Sequence, residues 1–219
     1  MNKETKELPP TMIIPFVGIP FVEQISHMRC GSYTAEWISK AMGFHIRSAN
    51  DVLQGPVWHD YLRAILPLTV LKLLKIRGIE GVVINIDAVL SLERKIDWLK
   101  RELYLRKKPI LLLIKATTLH WIVLAGYDDE KKLFYVYDPN RGKTSLNKDL
   151  PIGNIALDYQ RLISLWEGRW NFRFTAVLIL NEYVRSEEEA ESAEVSKKDD
   201  EVVSNEPLAS QTVPSQMQN

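Results

Sequence analysis

At 219 residues and 46% hydrophobic content, the chain can build one domain with a real core and still have residues left over. Its single cysteine excludes an intrachain disulfide and suits a reducing compartment, and no apolar run approaches the ~20 residues of a membrane-spanning helix. The formal net charge of zero hides a split: from Ser186 onward nine acidic residues face two lysines, a net of −7, so the body up to Arg185 carries +7.

In chain order, residues 1–17 are punctuated by prolines and read as an extended segment laid over the surface, without the features of a signal peptide. GSYTAEWISKAM (31–42) reads as a helix, with Ala35, Ile38 and Met42 at helical steps and Gly43 as its stop. Ser48 or Asn50 can cap a short second helix. A third runs from about Trp58 to Lys75, bent or broken at Pro67 and followed by Gly78. IEGVVINI (79–86) suggests a short strand. Asp87 then caps an amphipathic helix to about Lys107, with Val89, Leu92, Ile96, Leu99 and Leu103 as its core stripe.

The second half changes character. PILLLIK (109–115), HWIVLAGY (120–127) and LFYVYD (133–138) read as strands, the last two joined by the polar turn DDEKK. Residues 159–166 read as a helix stopped by Gly168, and FRFTAVLIL (172–180) as a closing strand. From Ser186 the composition predicts a disordered acidic tail. That tail reads as a solvated segment, and its charge also permits it to fold back on the basic body. Helices first and an antiparallel sheet second predict an α+β fold, with one domain over 18–185.

Four residues are candidates for chemistry. Cys30 directly precedes the first helix, where free backbone N–H groups and the positive end of the dipole stabilise a thiolate. Read alone, a lone cysteine is first a buried structural residue. His120 begins one arm of the DDEKK hairpin and Asp138 ends the other. With a turn centred near 129–130, residue 120 lies opposite 138–140, and both side chains share a face. A carboxylate so placed orients an imidazole and stabilises its charged form, and the spacing alone equally allows a His and an Asp at strand ends that never meet. Gln24, six residues before Cys30, is placed to donate a side-chain N–H to an oxyanion. His27, His45 and His59 form no metal-binding pattern, and Gly142-Lys143-Thr144 lacks the context of a phosphate loop. Lys100, Arg101, Arg106, Lys107 and Lys108 read as a solvated basic face rather than a nucleic-acid site.

Gln24, five residues and then Cys30-Gly31 opening a helix resemble the nucleophile segment of papain-like cysteine peptidases. His120-Trp121 with IVLAGYDD, and then YVYDPNRG, are similar to the bacteriocin-processing peptidases, whose relatives remove double-glycine leaders. In that group a His followed by an aromatic begins a strand and an Asp-Pro ends the next. LISLWEG and FTAVLIL are similar to the end of the same domain. The resemblance spans roughly 18–182, and the Cys-to-His separation of 90 suits this group better than papain itself.

The resemblance implies a papain-like fold, with a helical N-terminal half packed on a C-terminal antiparallel sheet. It implies Cys30 as nucleophile, His120 as general base and acid, Asp138 as orienting carboxylate and Gln24 as oxyanion donor, acting on a peptide or protein substrate without a cofactor or metal. Leu119 stands where the family has a small residue, often glycine. His27, Met28 and Arg29 replace the usual small polar residues before the cysteine. Two other readings stay open: an acyltransferase or transglutaminase-like enzyme using the same triad, and an inactive papain-like domain that binds peptides. A soluble, cytoplasmic protein is expected.

Overall fold

The computed structural model describes residues 7–16, 29–44, 66–141, 149–168 and 172–182. The chain divides into two units, Met1–Val184 and Arg185–Asn219, and every described residue belongs to the first. The expected helix after Ser48, the residues from Trp58 to Ile65 and the acidic tail lie outside the described residues.

Helix α1 (Cys30–Ala41) matches the sequence reading and is buried on every side except at Lys40. Buried polar side chains need partners, and Thr34 and Ser39 find theirs within α1. Thr34 Oγ1 donates to the Cys30 and Gly31 carbonyls, both at 3.0 Å, and Ser39 Oγ to the Ala35 carbonyl at 2.8 Å. Helix α2 (Pro67–Lys75) starts at the proline expected to bend it, because a first-turn position needs no N–H.

Strand β2 (Gly81–Asn85) precedes α3 (Leu92–Arg106), which begins later than expected. Asp87 does not cap it. The Asp87 carboxylate accepts the Val89 N–H at 2.9 Å in a local turn, and Ser91 takes the capping role from the Arg94 N–H at 3.3 Å. Val89 is therefore 90% exposed rather than core, and Leu92 lies at the surface. Leu99 and Leu103 alone of the expected stripe are fully buried, with Ile96 partly buried against the core. The basic residues of this region are engaged: Arg101 with Asp97, Arg106 with Glu102, Lys100 with Asp129 and Lys108 with Glu182.

The expected strands form as β3 (Ile110–Lys115), β4 (Leu119–Asp128), β5 (Leu133–Tyr137) and β7 (Thr175–Ile179), with helix α4 at Tyr159–Trp166. A further strand, β6 (Ile155–Asp158), was not foreseen. All pairings are antiparallel, in the order β2-β7-β3-β4-β5-β6. The N-terminal segment is not merely draped over the surface. Its strand β1 (Thr11–Ile13) pairs with β4, and Ile14 is buried. Close approach there requires Gly126, since a Cβ at that position would meet the Met12 carbonyl oxygen at 2.6 Å.

Alternation along β5 assigns the two faces of the sheet. Tyr137 stacks on Trp37 of α1 with centroids 5.1 Å apart, while Phe134, three residues earlier and so on the opposite face, packs against Tyr159 of α4 at 4.5 Å. The mixed α+β architecture holds: helices on an antiparallel sheet, with the core between.

Candidate active site

Three elements meet at one end of the sheet. Helix α1 brings Cys30 in its first turn, where an α-helix leaves backbone N–H groups without intrahelical partners. Strand β4 brings His120, and the residue after β5 brings Asp138. His120 Nε2 lies 2.7 Å from Asp138 Oδ1, both side chains nearly buried. With Nε2–H donating to the carboxylate, Nδ1 is left for a second partner, and the Cys30 thiol is near enough to the ring to raise its pKa.

The hairpin achieves this pairing through an irregularity. Next to the turn, Asp128 faces Leu133, Tyr127 faces Phe134 and Gly126 faces Tyr135. Continued unbroken, that register would set Asp138 opposite Val123, on the face away from His120. A one-residue bulge at Ala125 intervenes, so Leu124 faces Val136 and Val123 faces Tyr137. One step on, Asp138 lies opposite Ile122, two residues from His120 and on its face. The N-terminal segment supports the bulge: the Ile14 N–H donates to the Ala125 carbonyl at 3.0 Å.

Asp138 is fixed by further bonds. Its Oδ1 also accepts the Asn140 N–H at 2.9 Å, and Arg141 Nε stands 3.9 Å from Oδ2. Its backbone is clamped by Asn154, a buried residue the sequence reading overlooked. Asn154 Oδ1 accepts the Asp138 N–H at 2.8 Å, and Nδ2 donates to the Asp138 carbonyl at 2.9 Å and the Arg141 carbonyl at 3.3 Å. Gly153 lets this clamp form. Its φ is +79°, and a Cβ there would collide with the Val136 carbonyl oxygen. The signal in the sequence was a Gly-Asn pair in an unassigned stretch, and turn chemistry alone explains such a pair equally well.

The electrostatics follow from this lattice. Burial works against a charged His120, but the hydrogen bonds and charges of Asp138 and Cys30 outweigh it and push the ring up to about 9. Burial likewise opposes ionisation of Asp138, and the His120 hydrogen bond, aided by the Asn140 N–H and Arg141, holds the carboxyl below its ordinary range.

The Cys30 side has a different character. The residue is 3% exposed, and no side chain caps α1. Beneath the helix lies a buried cation, Arg77, which donates to the Leu73 carbonyl at 2.8 Å and reaches Ser32 Oγ at 3.4 Å. Its Nε has no hydrogen-bond partner. Of the predicted site residues, Cys30, His120 and Asp138 come together; Gln24 lies outside the described residues, as do His27, His45 and His59. Among the described residues no cluster suits a metal ion, and no helix is long and apolar enough to cross a membrane.

Residues 82–165 match the model of the Peptidase_C39 like family, so the resemblance read from the sequence is borne out over that segment. The segment contains His120 and Asp138 but not Cys30. No curated protein matches the chain. Among solved structures, the double glycine motif protease of an AMS/PCAT transporter, in complex with the leader peptide, is 14% identical with a TM-score of 0.45, over 75% of this chain and 92% of that one. The peptidase domain of Streptococcus ComA, a bi-functional ABC transporter of a quorum sensing pathway, is 17% identical with a TM-score of 0.45, over 74% and 97%. UfSP from C. elegans is 13% identical with a TM-score of 0.46, over 84% of this chain and 37% of that one.

Proposed function

We propose, from a chain whose residues 82–165 match the Peptidase_C39 like family, that the protein is a cysteine peptidase cutting a peptide amide through a thioester on Cys30. The observation that carries this reading is the 2.7 Å bond of His120 Nε2 to Asp138 Oδ1, with Cys30 near enough to raise the pKa of the ring. In the first half-reaction the thiol proton resides on His120, whose pKa of about 9 keeps it there at neutral pH, and the sulfur attacks the amide carbon. The C–N bond breaks as the imidazolium returns that proton to the leaving amine. In the second, His120 takes a proton from water, the hydroxide displaces the sulfur, and the proton goes back to the thiolate. Asp138 keeps the ring in the tautomer that presents Nδ1 to sulfur. The oxyanion donors in this reading are the Cys30 N–H and the Gln24 side chain.

The burial of Cys30 favours a second reading, a catalytically silent domain that binds a peptide without attacking it. Iodoacetamide labelling separates the two. A peptidase gives labelling of Cys30 well above the rate of free cysteine at neutral pH, together with cleavage of a mixed peptide library that Cys30→Ala abolishes. Labelling at or below the free-cysteine rate, with peptide binding indifferent to Cys30→Ala, would establish the silent domain instead.

A further inference from the structure

Behind the His120–Asp138 pair, on the face of the sheet covered by α4, lies a cavity of about 290 Å³. Its floor is aliphatic, built from Ile114 of β3, Ile122 of β4, Ile155 and Leu157 of β6, and Leu165 of α4. The last three are only partly buried, so apolar surface is left open to a ligand. Its rim is cationic, formed by Arg141 and Arg161, with Thr117 beside them. The Arg161 guanidinium is exposed and has no ion-pair partner among the described residues; only its backbone N–H is engaged, with Asp158. Arg141 is 62% exposed and stands 3.9 Å from Asp138, a loose contact. Asp138, the one carboxylate in the lining, is already committed to His120 and Asn140.

We propose that this cavity is a binding site for a small aliphatic carboxylate, with the chain on the isoleucine and leucine floor and the carboxylate between Arg141 and Arg161. Two guanidinia against one committed carboxylate leave the rim net positive, which disfavours cations. A neutral aliphatic molecule would leave both forks unused, whereas a carboxylate matches their donor geometry. The volume equals that of about ten waters at ~30 Å³ each, enough for a chain of roughly six carbons. Two sources present this chemistry: a free short-chain acid, and the C-terminal residue of a peptide with a branched aliphatic side chain. The site shares Asp138 with the proposed peptidase but does not use Cys30, so its binding test does not depend on peptidase activity.

Calorimetric titration of the full chain tests the site with four probes: hexanoate, N-acetyl-leucine, N-acetyl-leucinamide and hexylamine. The acids bind saturably, while the amide and the amine bind at least tenfold more weakly. Tighter binding of N-acetyl-leucine assigns the site to peptide C-termini, and tighter binding of hexanoate assigns it to free acids. Arg161→Gln, a surface change, weakens the acids at least tenfold without moving the thermal unfolding midpoint. Leu165→Trp, which fills the floor, abolishes binding. Cys30→Ala binds as the parent does, so a failed peptidase assay leaves this result intact. The proposal is overturned if neither acid binds saturably, if amine or amide binds as well as the acids, or if folded Arg161→Gln binds them undiminished.

Discussion

His120 and Asp138 sit in a lattice of directional bonds, whereas Cys30 opens a helix packed into the core. On the sheet side, two hydrogen bonds reach one carboxylate oxygen, three more from Asn154 pin the adjoining backbone, and a bulge sets the face. On the helix side, α1 is wedged among buried side chains, its N-terminus uncapped by any side chain. The side-chain tether described beneath its first turn is a 3.4 Å contact from Arg77 to Ser32. The contrast follows what each group must do. An imidazole works only in one tautomer and one orientation, which hydrogen bonds fix. A sulfur on the first turn of a rigid helix has little orientation to set, and close packing can hold it.

Asp138→Asn tests the lattice most severely. It keeps the shape but offers an amide where the ring requires an acceptor, and the wrong tautomer costs about 10⁴ in kcat in a triad of this logic. The measurement is kcat on any peptide that the parent cleaves, with thermal unfolding showing the fold retained. A loss under tenfold would mean the sheet side does not position the ring, and the contrast would collapse.

Asn154→Ala comes next. It touches no reacting atom in the proposed mechanism, yet it strips partners from the Asp138 N–H and two carbonyls, a destabilisation of about 1–3 kcal/mol. As a positioning residue it should lower kcat by about tenfold, with KM little changed. Loss of stability with kcat unchanged would reduce the clamp to a structural device.

The origin of this lattice explains what the sequence reading could reach. The helix over 31–42, the hairpin strands and the closing strand were legible because apolar periodicity and turn residues are local signals. So was the approach of His120 to Asp138, but by a simplified route: the bulge at Ala125 restores a register that the turn-proximal pairing breaks. No local signal marks that bulge, which is supported by a bond from Ile14, over a hundred residues away. β6 and Asn154 were missed for a similar reason. A four-residue strand gives too short a pattern to read, and the worth of Asn154 lies in the backbone it meets 16 residues earlier. Asp87 misled because a good capping residue is also a good turn former.

Arg77→Met sharpens the comparison from the helix side. The substitution removes a buried cation with an unpaired Nε–H and substitutes an apolar chain of similar length. Burial already holds its guanidinium pKa below the ordinary value, Glu36 only partly offsetting that. Replacing a poorly satisfied buried charge by an apolar side chain is often neutral or better. Stability should change by less than about 1 kcal/mol and iodoacetamide labelling of Cys30 by less than threefold. A larger drop in labelling would show that the helix side also depends on a directional tether.

The smallest effect is one of pH, and it falls on the lattice alone. His120 is raised to about 9 in the folded chain against an ordinary 6.5, so its contribution to stability is complete below about pH 6.5 and is lost as pH rises through 9. Asp138 is lowered, so its contribution is present above the ordinary carboxylate range near 3.9 and is lost as pH falls through its folded value. The pair therefore stabilises most between about pH 4 and 6.5. The gap in unfolding midpoint between the parent and His120→Gln should be widest near pH 6 and narrow by a few degrees at pH 9.5, for a chain of this size. A gap that stays constant or widens over that interval would mean the ring is not held charged, and the bonds around it would then be orienting a neutral imidazole.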